Sequence, residues 1–179
     1  MKASEYIETE RLILRRPFPA DAEIIFARYA NDPDVTRYLG WPRHKSIEQT
    51  RAFLSFSDTA WSDWPGGPYI IESRESRIVL GSTGFVFETP FRAAVGYVLA
   101  KDAWGYGYAT EALRALTNVS PTIGIQRLYA FCHPEHKASS RVLEKCDFAF
   151  EGVLRRHSEF PNLGGAEPGD VLCYKLIFA

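Results

Sequence analysis

The sequence predicts a mixed α/β (α+β) fold, on three observations. A strand–helix–strand unit of about 40 residues runs from Ala93 to Cys132. Short apolar runs bounded by turn residues stand towards both ends of the chain, with two helices in the middle. At 179 residues, 46% hydrophobic and 24% charged, the chain has the size and composition of a single globular domain, 1–179.

Leu12-Ile13-Leu14 reads as the first strand. Pro19 opens a helix to Tyr29, with Ala22, Ile25, Phe26 and Tyr29 on one stripe. Ser46 and Gln49 read as a capping box for a second helix, whose apolar face is Phe53, Leu54 and Trp61. Tyr69 to Ile71 and Ile78 to Phe87 form a hairpin, in which Gly81 and Gly84 signal a bulge or a close backbone approach. Ala93 to Ala100 is a strand and Tyr108 to Asn118 a helix, with Ala112, Leu113 and Leu116 at helical spacing. Arg127 to Cys132 follows as a strand parallel to the first, then a helix over His136 to Lys145. Phe148 to Leu154 and Val171 to Phe178 close the chain as strands. They are separated by a Gly/Pro loop, Pro161 to Gly169. The total is about seven strands and about four helices.

A net charge of −1 offers no global basic field, so nucleic acid is not an expected partner. No apolar run is long enough to cross a membrane, and the charged N-terminus does not read as a signal peptide. Three cysteines are too few and too odd for a disulfide framework, and they suit a cytoplasmic protein. Cys132, His133 and His136 invite a metal reading, but adjacent strand residues point to opposite faces and no fourth ligand is evident, so no metal is expected.

The segment Trp104, Gly105, Tyr106, Gly107, Tyr108, Ala109, Thr110 lies where strand turns into helix. Glycines at 105 and 107 let the backbone turn tightly, and a helix start presents unpaired N–H groups and partial positive charge. That combination suits a phosphate or pyrophosphate; it equally suits a turn that only lets helix and sheet pack closely. No Lys-Ser/Thr follows, which excludes a Walker A loop. A dinucleotide fingerprint would need its third glycine at Thr110 and an acid near Gln126 to Leu128.

The stretch VGYVLAKDAWGYGYATEALRAL, Val95 to Leu116, resembles the acetyl-coenzyme A motif of the GNAT superfamily of N-acetyltransferases. Gly107 and Ala109 take its last two positions and Trp104 stands for its Arg/Gln. TERLILR at Thr9 to Arg15 and HKASSRVLEKCDF at His136 to Phe148 are similar to motifs of the branch that includes ribosomal-protein alanine N-acetyltransferases.

The resemblance implies a twisted, mostly antiparallel sheet in which one parallel pair splays to admit acetyl-coenzyme A as an added strand. The backbone of Tyr97, Val98 and Leu99 would bind its pantetheine, and an N–H at Val98 or Leu99 would stabilise the oxyanion. The pyrophosphate would rest on the N–H groups from Gly105 to Thr110, with Glu111 as a helix-start charge and packing partner. His136 replaces a family Asn that contacts pantetheine. Leu143 stands where many relatives carry an acidic Tyr, so Ser139 becomes the candidate acid for the thiolate. Ala94 stands where many relatives carry a basic Glu, so Glu159 becomes the candidate base, with Glu72 and Glu88 as alternatives. The implied partners are acetyl-coenzyme A and a primary amine on a protein N-terminus or a small molecule, with a homodimer consistent with the family. Two rival readings remain: a non-catalytic acyl-coenzyme A binding or sensing module, and a nucleotide-binding oxidoreductase.

Overall fold

A computed structural model describes residues 1–165 and 167–178; Ala166, inside the second Gly/Pro loop, lies outside the described residues. Eight strands form one sheet: β1 (Tyr6–Glu8), β2 (Leu12–Arg15), β3 (Pro68–Ser73), β4 (Val79–Thr89), β5 (Arg92–Leu99), β6 (Arg127–Cys132), β7 (Ala149–Ser158) and β8 (Gly169–Ile177). Their order is β1-β2-β3-β4-β5-β6-β8-β7, antiparallel throughout except for β5 and β6. The strand beyond the expected seven is β1, three residues whose pattern is mostly exposed.

The helices are α1 (Ala22–Ile25), α2 (Pro33–Thr36), α3 (Ile47–Asp63), α4 (Tyr108–Val119) and α5 (Lys137–Lys145). The helix expected over Pro19 to Tyr29 is composite: a 3₁₀ turn, then α1, then a π turn at Phe26–Ala30. The one-turn helix α2 starts where the Asp32 carboxylate accepts the N–H groups of Asp34 and Val35. The Ser46–Gln49 box does not form: Ser46 makes no capping bond, and Gln49 Oε1 accepts the Lys45 N–H at 2.6 Å instead.

Helices cover both faces of the sheet, so its central strands are apolar on alternate sides. On β3, Tyr69 and Ile71 face a core with Leu113 and Leu116 of α4 and Leu143 of α5. Ile70 faces the opposite core with Ile25, Tyr29 and Leu54. The hairpin glycines answer to close approach: a Cβ on Gly81 would stand 2.0 Å from the Val98 carbonyl oxygen, and one on Gly84 2.5 Å from Pro68 Cα. The β5–β6 pairing covers only Arg92↔Arg127, Ala93↔Leu128 and Ala94↔Tyr129. Beyond Ala94 the two strands part, and β6 takes β8 as its other neighbour.

Candidate active site

The open edge of β5 is the first component. Its Val98 carbonyl and Ala100 N–H turn towards β4, the latter donating to Leu80 O at 2.8 Å. The alternation of a strand therefore turns the Tyr97 and Leu99 backbones to the parted side. Of the pair Val98 and Leu99, only Leu99 aims its N–H into the cleft. The Trp104 indole N–H donates to Leu99 O at 2.9 Å and pins the strand end to the turn that follows.

That turn is the second component. Gly105 and Gly107 have φ of 83° and 81°, the left-handed region that glycine enters without strain. Gly107 is the N-cap of α4, and the first helical bond is Glu111 N–H to Gly107 O at 3.1 Å. The N–H groups of Tyr108, Ala109 and Thr110 precede that bond and have no intrahelical partner. Gly105, Tyr106 and Gly107 are exposed, and Tyr106 stacks on Tyr108 at 5.8 Å. The Glu111 carboxylate is engaged by the segment between β1 and β2. It accepts from the Thr9 hydroxyl (2.6 Å), the Arg11 N–H (2.8 Å) and Arg11 Nε (2.7 Å), while Arg11 Nη1 donates to Tyr106 O. Burial raises the Glu111 pKa, but these donors outweigh it and hold the carboxyl below its ordinary value.

The third component is a cavity of about 740 Å³ between the parted strands and the α1–α3 side of the sheet. Tyr97, Val98, His136 and Ser139 line it. The Tyr97 hydroxyl lies 2.9 Å from both the Ser139 Oγ and the Ser139 carbonyl, bridging β5 to α5. Burial pushes the Tyr97 phenol up, against the effect of Ser139, so it stays protonated. His136 is the N-cap of α5; burial first and His133 second push its imidazole pKa down. Tyr38 stacks between the rings of His133 and His136, at 4.8 and 5.1 Å.

The candidate carboxylates lie elsewhere. Ser158 and Phe160 line the cavity, but Glu159 between them is exposed and does not. Glu72 is buried in ion pairs with Arg15 (2.5 Å) and Arg77 (3.2 Å). Glu88 pairs with Arg92 and accepts from Tyr129. Trp41 lines the cavity, whereas Trp61 of α3 is buried against Tyr69 and Trp64 stacks on Phe87. Cys132, Cys146 and Cys173 are free and buried, and among the described residues no three His, Cys, Asp or Glu side chains gather as metal ligands would.

Sequence reasoning missed Asn162. Its amide donates to Thr36 O (2.7 Å) and Trp41 O (2.9 Å) and accepts the Arg43 N–H (2.8 Å). One side chain thus ties the second Gly/Pro loop to the segment carrying Tyr38 and Trp41. Only its place in a turn-rich loop hinted at a local hydrogen-bonding role.

The sequence profile of the acetyltransferase (GNAT) domain matches residues 11–149. An uncharacterized N-acetyltransferase of Bacillus subtilis (strain 168), YoaA, is 34% identical over 154 residues, covering 84% of this chain and 86% of its own. A second, p20 of Bacillus licheniformis, is 30% identical over 87% of this chain and 88% of its own. A GNAT-family acetyltransferase structure from Bacillus anthracis superposes with a TM-score of 0.83 at 25% identity, covering 96% of this chain and 98% of its own. RimL, a ribosomal L7/L12 alpha-N-protein acetyltransferase solved with coenzyme A, shares the fold with a TM-score of 0.85 at 22% identity, covering 97% and 98% of the two chains. A profile that takes in β2, the parted strands, the glycine turn and α5, with relatives alike along most of their length, makes this chain a member of the GNAT acetyltransferase family.

Proposed function

We propose that the protein moves an acetyl group from acetyl-coenzyme A to a primary amine by direct attack in a ternary complex. The observation that carries this reading is the parting of β5 from β6 beside a glycine turn and a helix start. The pyrophosphate rests on N–H groups between Gly105 and Thr110, beside Trp104, Tyr106 and Tyr108. The pantetheine lies along the open Tyr97 and Leu99 backbone, past His136. Leu99 N–H meets the thioester carbonyl oxygen as it gains charge.

The amine nitrogen bonds the carbonyl carbon and the carbon–sulfur bond breaks. The acceptor arrives as an ammonium and leaves as an amide, so it sheds two protons. One goes to water and one to the departing thiolate. Ser139, bonded to the protonated Tyr97 hydroxyl, is placed to deliver the second. With no carboxylate among the described lining residues, the first passes through water, and Glu159, in sequence between the lining residues Ser158 and Phe160, is the carboxylate proposed to receive it.

Acetyl-coenzyme A fits these groups: the free amides at the turn and strand edge match its diphosphate and its amide chain. RimL and the microcin C7 immunity acetyltransferase MccE, solved with coenzyme A and with acetyl-coenzyme A and AMP, lend support as relatives in fold. The test is titration calorimetry with acetyl-coenzyme A on the protein and on Gly107→Asp. A carboxylate there faces the diphosphate, and binding is expected to weaken at least about tenfold. Equal affinity in a folded variant removes the anion site from the turn.

A further inference from the structure

We propose that the acceptor is a small primary amine on an apolar body of aromatic size, carrying no second charge. The inference rests on the acetyl-transfer reading above and concerns the half of the same cavity that faces α1–α3.

That half is walled by Trp41, Phe53, Phe56 and Phe160, over a floor of β4 and β5 that includes Val86 and Gly96. A Cβ on Gly96 would meet nothing within 4 Å, so the floor is open above it. Among the described residues, the cavity lining contains no Asp, Glu, Lys or Arg. Its two imidazoles, His44 and His136, are both pushed by burial below their ordinary pKa, and so are neutral near pH 7. The space is therefore apolar and without net charge.

A polyamine or aminoglycoside would bring surplus ammonium groups into it with no counter-charge. A free amino acid would bring a carboxylate with no cation. Each would lose hydration without compensation. A single ammonium meets aromatic faces and gives up its charge on reacting.

Tyr29 also lines the cavity, with its hydroxyl buried beside Ser82.

The experiment uses the whole chain. Calorimetry with acetyl-coenzyme A comes first; absence of binding overturns the transfer reading itself. Thiol release is then followed with 2-phenylethylamine, tyramine, spermidine, an aminoglycoside, phenylalanine and a peptide with N-terminal alanine. The two aryl amines are expected to exceed every other acceptor in kcat/KM by about tenfold or more. Bound acetyl-coenzyme A with a charged acceptor or the peptide preferred overturns this inference alone, whereas binding with no amine turned over overturns the transfer reading as well. Val86 is 53% exposed, so Val86→Glu adds a carboxylate to the lining without burying it in the core. The spermidine to phenylethylamine ratio of kcat/KM is expected to rise about tenfold; an unchanged ratio places the acceptor elsewhere.

Discussion

Tyr97 and Ser139 stand 42 residues apart in sequence and meet at 2.9 Å across the parted strands. In the proposed mechanism Ser139 hands a proton to sulfur, so Ser139→Ala is expected to lower kcat more than it raises KM for acetyl-coenzyme A. An effect confined to KM would make Ser139 a binding residue. Glu111 belongs to a different class of residue. Its carboxylate serves three donors from the β1–β2 turn, and Glu111→Ala removes all three bonds, leaving exposed Arg11 to water and the Thr9 hydroxyl to Leu12 O. The expected cost is about 2 kcal/mol, read as a lower midpoint in urea. The glycines at 105 and 107 were legible in the sequence because a tight turn ahead of a helix restricts the choice of residue. The walls of the cavity were not. Tyr29, Phe53 and Phe160 come from distant parts of the chain, and nothing in their local spacing announces a shared surface. Asn162 escaped for the same reason, since its partners Thr36 and Trp41 lie more than a hundred residues away.

The strand–helix–strand unit was readable because α4 buries one periodic stripe, Ala112, Leu113 and Leu116, and its flanking strands are apolar. β1 was not, since three mostly exposed residues carry no alternation to detect. The π turn at Phe26–Ala30 was also hidden, because its stripe of Ala22, Ile25 and Tyr29 is the one an ordinary helix would bury. Departures from family pattern were visible in sequence, but their outcome was not. Asp147, in the motif His136 to Phe148, follows α5 and holds φ of 64° while its N–H donates to Glu144 O. The turn survives with an L-residue in the left-handed region. Asp147→Gly should relieve that strain and stabilise the protein by about 1 kcal/mol, seen as a raised thermal midpoint. An unchanged or lower midpoint would mean that Asp147 contributes contacts of its own.

At the scale of the molecule, protonation couples many elements at once. His44 and His136 are neutral inside the fold, while an unfolded chain would protonate them near pH 6.5. The unfolded state then binds more protons, so stability falls as pH drops through the ordinary imidazole range. Glu111 and Glu151 are also lowered, Glu151 to about 2 chiefly by Arg127 and Lys175. Their contribution is present above the ordinary carboxylate range and is lost as pH falls through their folded values. Thermal midpoints should therefore be highest at or above pH 7, fall towards pH 5, and fall again below about pH 4. A midpoint constant from pH 7 to 5 would show that the imidazoles charge inside the fold. The brief pairing of β5 with β6 reaches further than the cleft it opens. Five strands on one side and three on the other share a backbone seam only three residues long, so the sheet behaves as two lobes stitched at the base. A molecule pressed along the gap would lengthen that seam, and its departure would leave the lobes freer to rock. The amide protons of Tyr97 and Leu99 should report the difference, exchanging slowly with the gap filled and quickly with it bare.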